Sequence, residues 1–152
     1  MIRVIWAGAS RDNLLGELAA RYAGRIARRV PLRLEEIGAG RGKQPGQVAA
    51  WEGRKFLAKL PAASFPVALE AGGRRFSSEQ FAAWLEGTMA RAGGDLIFMI
   101  GGHEGLAPDV SRRARERFSL SAMTLTHEMA RVLLLEQIYR ALTILRGEPY
   151  HH

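Results

Sequence analysis

The chain has 152 residues, 47% of them hydrophobic, and it carries a formal net charge of +7. This length and composition suit one folded domain over residues 1–152 and exclude an intrinsically disordered chain. The absence of cysteine excludes disulfides and thiolate metal sites. The excess of arginine favours a polyanionic partner such as nucleic acid, although an arginine-favouring codon bias explains it equally well.

The N-terminal segment, residues 1–6, is too short and too soon interrupted to be a signal peptide. Elsewhere, no apolar run approaches the length of a membrane span. We therefore predict a soluble, cytoplasmic protein that neither enters a membrane nor needs a metal.

The first helical pattern begins near Asp12 and ends before Pro31. Apolar residues recur in it at every fourth position, while arginines take other positions. The apolar positions are Leu14, Leu18, Tyr22, Ile26 and Val30. This spacing predicts an amphipathic helix with a basic outer side.

Strand and helix patterns alternate along the whole chain. The predicted strands cover residues 2–6, 32–37, 65–70 and 96–100, and the later helices cover 47–60, the segment after Ser77, the segment after Pro108, and 128–145. A short β-prone run is also predicted over 119–125. The alternation predicts an α/β fold with a mostly parallel sheet flanked by helices.

Glycine pairs follow two of the predicted strands, at 72–73 and 101–102. Because ligands of parallel sheets bind at the carboxyl ends of the strands, both turns point to one pocket. A dinucleotide fingerprint is missing, since Gly8 stands alone after the first strand. The glycine-rich segment 38–46 is no P-loop, since Lys43 precedes Gln44; it is an ordinary surface loop or an RNA-contacting arm.

Two later segments suggest partners. Four arginines fall within residues 112–117, which favours a phosphate contact over a merely solvated face. The last helix is apolar nearly all round, so it is either central in the domain or also packed on a second subunit. We favour a homodimer that uses this helix, since isologous dimers are the commonest oligomers.

Several long motifs in fixed order identify a resemblance. Residues 100–106, 119–127, 136–141 and 149–151 resemble those of the RlmH family, and the likeness extends over essentially the whole chain. The resemblance implies a homodimeric SPOUT-class methyltransferase with a C-terminal trefoil knot around its S-adenosylmethionine site. It also implies that the methylated atom is N3 of a pseudouridine in 23S rRNA, within the ribosome.

The resemblance also implies which residues hold the cofactor. They are Leu69, Gly101, Leu120, Ser121, Ala122, Met123, Thr124 and Leu125. Glycine lets a ligand approach the backbone closely, and leucines supply apolar walls. For each leucine alone, core packing would be the commoner explanation.

Candidate catalytic residues follow in the C-terminal part of the chain. They are His127, Arg131, Arg140, Tyr150 and His151. A histidine can act as a base near neutral pH, whereas an arginine would stabilise a developing anion or hold phosphate, so the base is left unassigned. We expect Tyr150 and His151 to complete a site built largely by the other subunit. Glu136 and Arg140 are one helical turn apart, so a simple ion pair also explains both.

The sequence departs from the family pattern at two positions. His103 stands where proline or alanine is usual, and His152 stands where arginine or lysine is usual. A rival interpretation is a non-catalytic ribosome- or RNA-binding module, which would have no use for a cofactor pocket. A third is a related methyltransferase acting on tRNA or on an unmodified uridine.

Overall fold

A five-stranded parallel sheet forms the centre of the molecule, in a computed structural model that describes residues 1–42 and 44–150. The strands are β1 Ile2–Ala7, β2 Leu32–Ile37, β3 Ser64–Arg74, β4 Asp95–Ile100 and β5 Glu116–Phe118. The helices are α1 Asn13–Ala27, α2 Gln47–Ala58, α3 Ser78–Arg91, α4 Pro108–Arg113 and α5 His127–Ile144. The sheet order is β2-β1-β4-β3-β5, and every neighbouring pair is parallel. The predicted α/β architecture is confirmed, while the trefoil knot stays a prediction.

Side chains of the central strands alternate between two apolar cores. Val4 and Phe98 face the core shared with α1, α3 and α5, whereas Ile5 and Met99 face the core shared with α2 and α4. All four side chains are fully buried. The unbroken apolar run of β4 is therefore explained by helices on both faces of the sheet. Among the described helices, none has both the length and the apolar character needed to cross a membrane.

Helix α5 lies between α1 and α3 against the sheet. Leu134, Leu135 and Ile138 are fully buried there. Most apolar residues of α5 thus pack within the chain, so this helix is central in the domain, although Met129 is 37% exposed. Its composition alone gives no reason for a second subunit.

The predicted inner face of α1 is wrong at its N-terminal end. Leu14 is 77% exposed and Leu18 is 38% exposed. Leu15 and Ala19 pack on the core instead, whereas Ile26 is buried as predicted. A strict spacing of four drifts by about 40° at each step around a helix of 3.6 residues per turn, so the first leucines leave the buried stripe.

Two further predictions near the carboxyl end of the sheet are wrong. Strand β3 does not turn at its glycine pair but continues to Arg74, with a register shift against β5 after Leu69. A Cβ on Gly73 would lie 2.6 Å from the backbone nitrogen of Phe118, so glycine permits this close pairing.

The run 119–125 is a loop and not a strand. The Ser119 hydroxyl donates to the Ser121 carbonyl at 2.9 Å, and the Met123 N–H donates to the Ser121 hydroxyl at 2.9 Å. Such local hydrogen bonds of serine side chains compete with strand pairing, which explains why this segment is a loop despite its β-propensity.

Candidate active site

A cavity of about 450 Å³ opens at the carboxyl ends of β4 and β5, beside residues 69–71 in the middle of β3 and the first turn of α5. Its volume falls within the range of small-molecule sites. Seven of the eight residues that we predicted for the cofactor line it: Leu69, Gly101, Leu120, Ser121, Met123, Thr124 and Leu125. Ala122 is exposed and is not among the lining residues. His103, the departure from the family pattern, is exposed and also lines the cavity.

The wall formed by residues 101–105 is a tight turn. The Gly105 N–H donates to the Gly102 carbonyl at 3.0 Å, and Gly105 has a φ of +74°. A Cβ on Gly101 would lie only 2.3 Å from the Gly105 carbonyl carbon. Glycine at 101 is therefore required by the turn's own backbone, and not only by the approach of a ligand.

A buried carboxylate on α2 stabilises this turn through a hydrogen bond. Glu52 on α2 is 2% exposed, and its Oε2 accepts the Gly102 N–H at 3.2 Å. Its Oε1 accepts the Gly40 N–H at 3.0 Å, so one side chain joins two loops. In addition, Glu104 Oε2 accepts the Ala49 N–H at 3.0 Å, at the start of α2. Glu52 was missed from the sequence, although a carboxylate among the buried positions of α2 was a usable signal.

Replacing Glu52 with alanine is expected to destabilise the fold by about 2–3 kcal/mol, because two backbone N–H groups lose their acceptor. Urea unfolding would measure this change. The control is Glu86→Ala on the exposed side of α3, which should change the free energy of unfolding by less than about 0.5 kcal/mol. Equal effects of the two substitutions would contradict the supporting role of Glu52.

His127 begins α5 and lines the cavity. Burial lowers the pKa of its imidazole below the usual value, and the positive charge of Arg131 lowers it further. Glu128 and Glu52 oppose the shift without cancelling it. The ring is therefore neutral at pH 7 and able to accept a proton.

Arg131 lies one turn further along α5 and is 1% exposed. Its Nη2 donates to the carbonyl oxygens of Ala7 and Gly8 at 2.6 and 2.9 Å, and its guanidinium lies 5.1 Å from the centre of the Trp6 ring. Arg131 thus fixes the end of β1 and is not among the residues that line the cavity. Its position suits a structural role within one chain.

Arg140 and Tyr150 lie at the far end of α5. Arg140 Nη2 is 2.6 Å from Glu136 Oε1, as the one-turn spacing predicted, and its guanidinium lies 5.0 Å from the Tyr150 ring centre. The Tyr150 hydroxyl donates to Glu136 Oε1 at 3.2 Å and lies 3.2 Å from the Tyr22 hydroxyl. Burial and the Tyr22 contact raise the Tyr150 pKa, so its phenol stays protonated.

The candidate catalytic residues therefore form two groups within one chain. Arg140 follows His127 by thirteen residues of α5, which corresponds to about 20 Å. His127 lies at the cavity, and Arg140 and Tyr150 do not line it. His151 lies outside the described residues.

The family of this chain follows from its similarity to known proteins. The family model described as "Predicted SPOUT methyltransferase" matches residues 1–151. The chain belongs to the SPOUT methyltransferase family. The family predicted from the motifs is thereby confirmed.

The names of similar proteins agree with this family assignment. It is 46% identical to "Ribosomal RNA large subunit methyltransferase H" of Syntrophotalea carbinolica, covering 99% of this chain and 98% of that protein. It is 43% identical to the protein of the same name from Sorangium cellulosum, covering 95% and 94%. A solved structure titled as a probable methylase family protein from Haemophilus influenzae shares the fold at 15% identity, with a TM-score of 0.56 over 98% of this chain and 69% of that one.

A SPOUT methyltransferase needs a methyl donor, and the cavity suits one that combines an apolar and a hydrogen-bonding part. Leu69, Leu120 and Leu125 give it apolar walls, while the turn 101–105 presents backbone groups. Within residues 1–42 and 44–150, no group of three or more His, Asp or Glu side chains could hold a metal ion.

Proposed function

We propose that this SPOUT methyltransferase transfers a methyl group from S-adenosylmethionine to N3 of a pseudouridine in 23S ribosomal RNA, on assembled ribosomes in the cytoplasm. The observation that carries the proposal is the cavity, which is lined by seven of the eight residues that the family resemblance predicts to hold the cofactor. The names of the relatives support ribosomal RNA as the substrate. We propose that residues 1–152 act as a single domain.

When bound, S-adenosylmethionine supplies an electrophilic methyl group on its sulfonium sulfur. The turn 101–105 and the loop 119–125 hold the cofactor, and Leu69 packs on it. His127, which is neutral and lies in the cavity wall, accepts the N3 proton of the base. Excluding water and aligning the two reactants supply the rest of the rate enhancement.

In this proposal the protein is a homodimer, and Arg140 and Tyr150 of one subunit contribute to the active site of the other. Leu14, Leu18 and Met129 are exposed apolar residues on α1 and α5, and the two helices are joined near their N-terminal ends by the hydrogen bond from the Arg11 N–H to Glu128. If the twofold axis crosses the middle of α5, the exposed residues at its start pack on the C-terminal half of the partner's antiparallel α5, and the far end of one α5 then lies near the cavity of the other subunit. Arg140 would then stabilise the anion that forms as N3 loses its proton.

The proposal is tested with labelled S-adenosylmethionine and ribosomes that lack the methyl group. We expect label in 23S rRNA, and none with ribosomes in which the target uridine was never converted to pseudouridine. Label on the unconverted uridine, or on tRNA, would identify the related methyltransferase instead. Ribosome binding without any binding of S-adenosylmethionine would identify the RNA-binding module.

The rate of methyl transfer is expected to fall as the pH drops through the pKa of His127. Because burial lowers that pKa, the loss should begin at a lower pH than for an ordinary histidine, whose pKa is about 6.5. Single-turnover rates between pH 5 and 8 measure it, with cofactor affinity determined at each pH as the control. If the rate of methyl transfer falls at low pH in the same way in His127→Gln, another group is the base.

A further inference from the structure

Four arginines lie together along the β5 side of the sheet, and we name them the arginine edge: Arg74, Arg112, Arg115 and Arg117. All four side chains are exposed. Arg74, Arg115 and Arg117 surround one surface hollow, and Arg112 and Arg117 surround a second. Because the hollows share Arg117, the four positive charges form one continuous surface.

Little negative charge offsets this surface. In the part of the chain that the structure describes, the one ion pair of the arginine edge joins Arg74 Nη1 and Glu116 Oε2 at 3.9 Å. The opposite edge of the sheet differs. There, Glu35 lies within 4 Å of three cations, at 2.5 Å from Arg3, 2.8 Å from Lys59 and 3.6 Å from Arg33. Basic residues are thus partnered at the β2 edge and left available at the β5 edge.

Aromatic rings support two of these arginines. The Arg74 guanidinium lies 4.5 Å from the centre of the Phe76 ring, and that of Arg115 lies 5.7 Å from the Phe65 ring. A guanidinium placed over a ring loses little of its hydrogen-bonding capacity, because its N–H groups point outward in its own plane. Such a fork suits the paired oxygens of a phosphate.

The arginine edge adjoins the cavity. Glu70 and Ala71 of β3 line the cavity, and Gly72, Gly73 and Arg74 of the same strand line the neighbouring hollow. Arg74 follows Ala71 by three positions along the strand, which corresponds to about 10 Å. The Ser111 hydroxyl donates to Glu70, so α4 is also attached to the cavity wall. A polymer lying on the arginine edge could therefore place one of its units at the cavity.

We propose that the arginine edge binds the sugar-phosphate backbone of the RNA next to the nucleotide that is methylated. Several exposed guanidinium groups along one edge of the sheet match the evenly spaced phosphates of a nucleic acid chain. The inference rests on the proposed function, because it takes ribosomal RNA as the substrate. It adds which surface of the chain holds that RNA.

The test compares two double variants that each remove two exposed positive charges. Arg112→Gln with Arg117→Gln alters the arginine edge, whereas Arg33→Gln with Arg91→Gln alters β2 and the end of α3. Ribosome binding is measured across a salt series, together with affinity for S-adenosylmethionine. We expect the first variant to lose about tenfold in ribosome affinity, with a shallower salt dependence, because each lost phosphate contact reduces the slope by about 0.7–0.9. The control variant should match the unaltered protein.

Unchanged cofactor affinity in both variants shows that the cavity is intact. Equal losses in the two variants would overturn the inference, since net charge alone would then explain them. No loss in either variant would overturn it as well. If affinity for poly-glutamate falls while ribosome affinity does not, the arginine edge binds an acidic polypeptide and the inference is wrong. If the unaltered protein binds ribosomes through this edge but transfers no methyl group, the surface stands and the proposed enzymatic function fails.

Discussion

Gly101→Ala is expected to weaken S-adenosylmethionine binding by about a hundredfold. The new Cβ would lie 2.3 Å from the Gly105 carbonyl carbon and 2.7 Å from the Leu106 nitrogen. Backbone atoms cannot yield as a flexible side chain does, so the turn 101–105 must open, at a cost of about 1–3 kcal/mol. Because this turn is a wall of the cavity, the geometry of the binding site changes with it. Titration calorimetry measures the loss.

Gly72→Ala is the matched control. Gly72 lies on the same side of the sheet, but no atom comes within 4 Å of a Cβ built there. Its cofactor affinity should stay within about twofold of the unaltered protein. Circular dichroism would establish that both variants fold. A folded Gly101 variant with normal affinity would exclude the turn from the cofactor site.

Removing residues 149–152 is expected to lower the rate of methyl transfer at least about a hundredfold, while cofactor affinity changes little. Tyr150 does not line the cavity of its own chain, so its loss leaves that cavity in place. Single-turnover kinetics and calorimetry separate the two effects. Tyr150→Phe keeps the ring that packs on Tyr139 at 4.8 Å between centres, and so distinguishes loss of the hydroxyl from loss of packing.

Mixing these two impaired variants, at a cofactor concentration that saturates only the unaltered cavity, tests whether the site is shared. Chains with Gly101→Ala supply the C-terminal residues, and truncated chains supply an intact cavity. After random exchange, half of the dimers contain one chain of each kind, and each of these has one complete site of two. Activity should then return to about a quarter of the unaltered level. No recovery after confirmed exchange would show that the C-terminal residues act within their own chain.

The order of strands and helices was predictable because local signals were strong. The apolar run of β4 reflects burial on both faces, and Ser77 with Gln80 forms the capping box that begins α3. Pro31 follows α1 as the prediction required. Such features depend on neighbouring residues, which the sequence displays directly.

The site was harder to predict because it depends on contacts between distant segments. Periodicity placed Leu14 and Leu18 inside, although the stripe of α1 that α5 covers begins at Leu15. Nothing local showed that β3 would pass its glycine pair to reach β5, since that pairing joins residues more than forty positions apart. The predicted cofactor residues came from the family resemblance, and seven of them share one cavity because β4 and β5 end beside the middle of β3.

The carboxylate of Glu52 is bonded to Gly40 on one side and to Gly102 on the other, so the two loops share a single buried anchor. Neither loop can shift far without leaving an oxygen of that carboxylate unpaired. A molecule that steadies the turn at the cavity therefore lowers the entropic cost of steadying the loop at Gly40, and the reverse holds to the same degree. Two ligands that use these loops would bind with positive cooperativity, each raising the affinity for the other by one common factor.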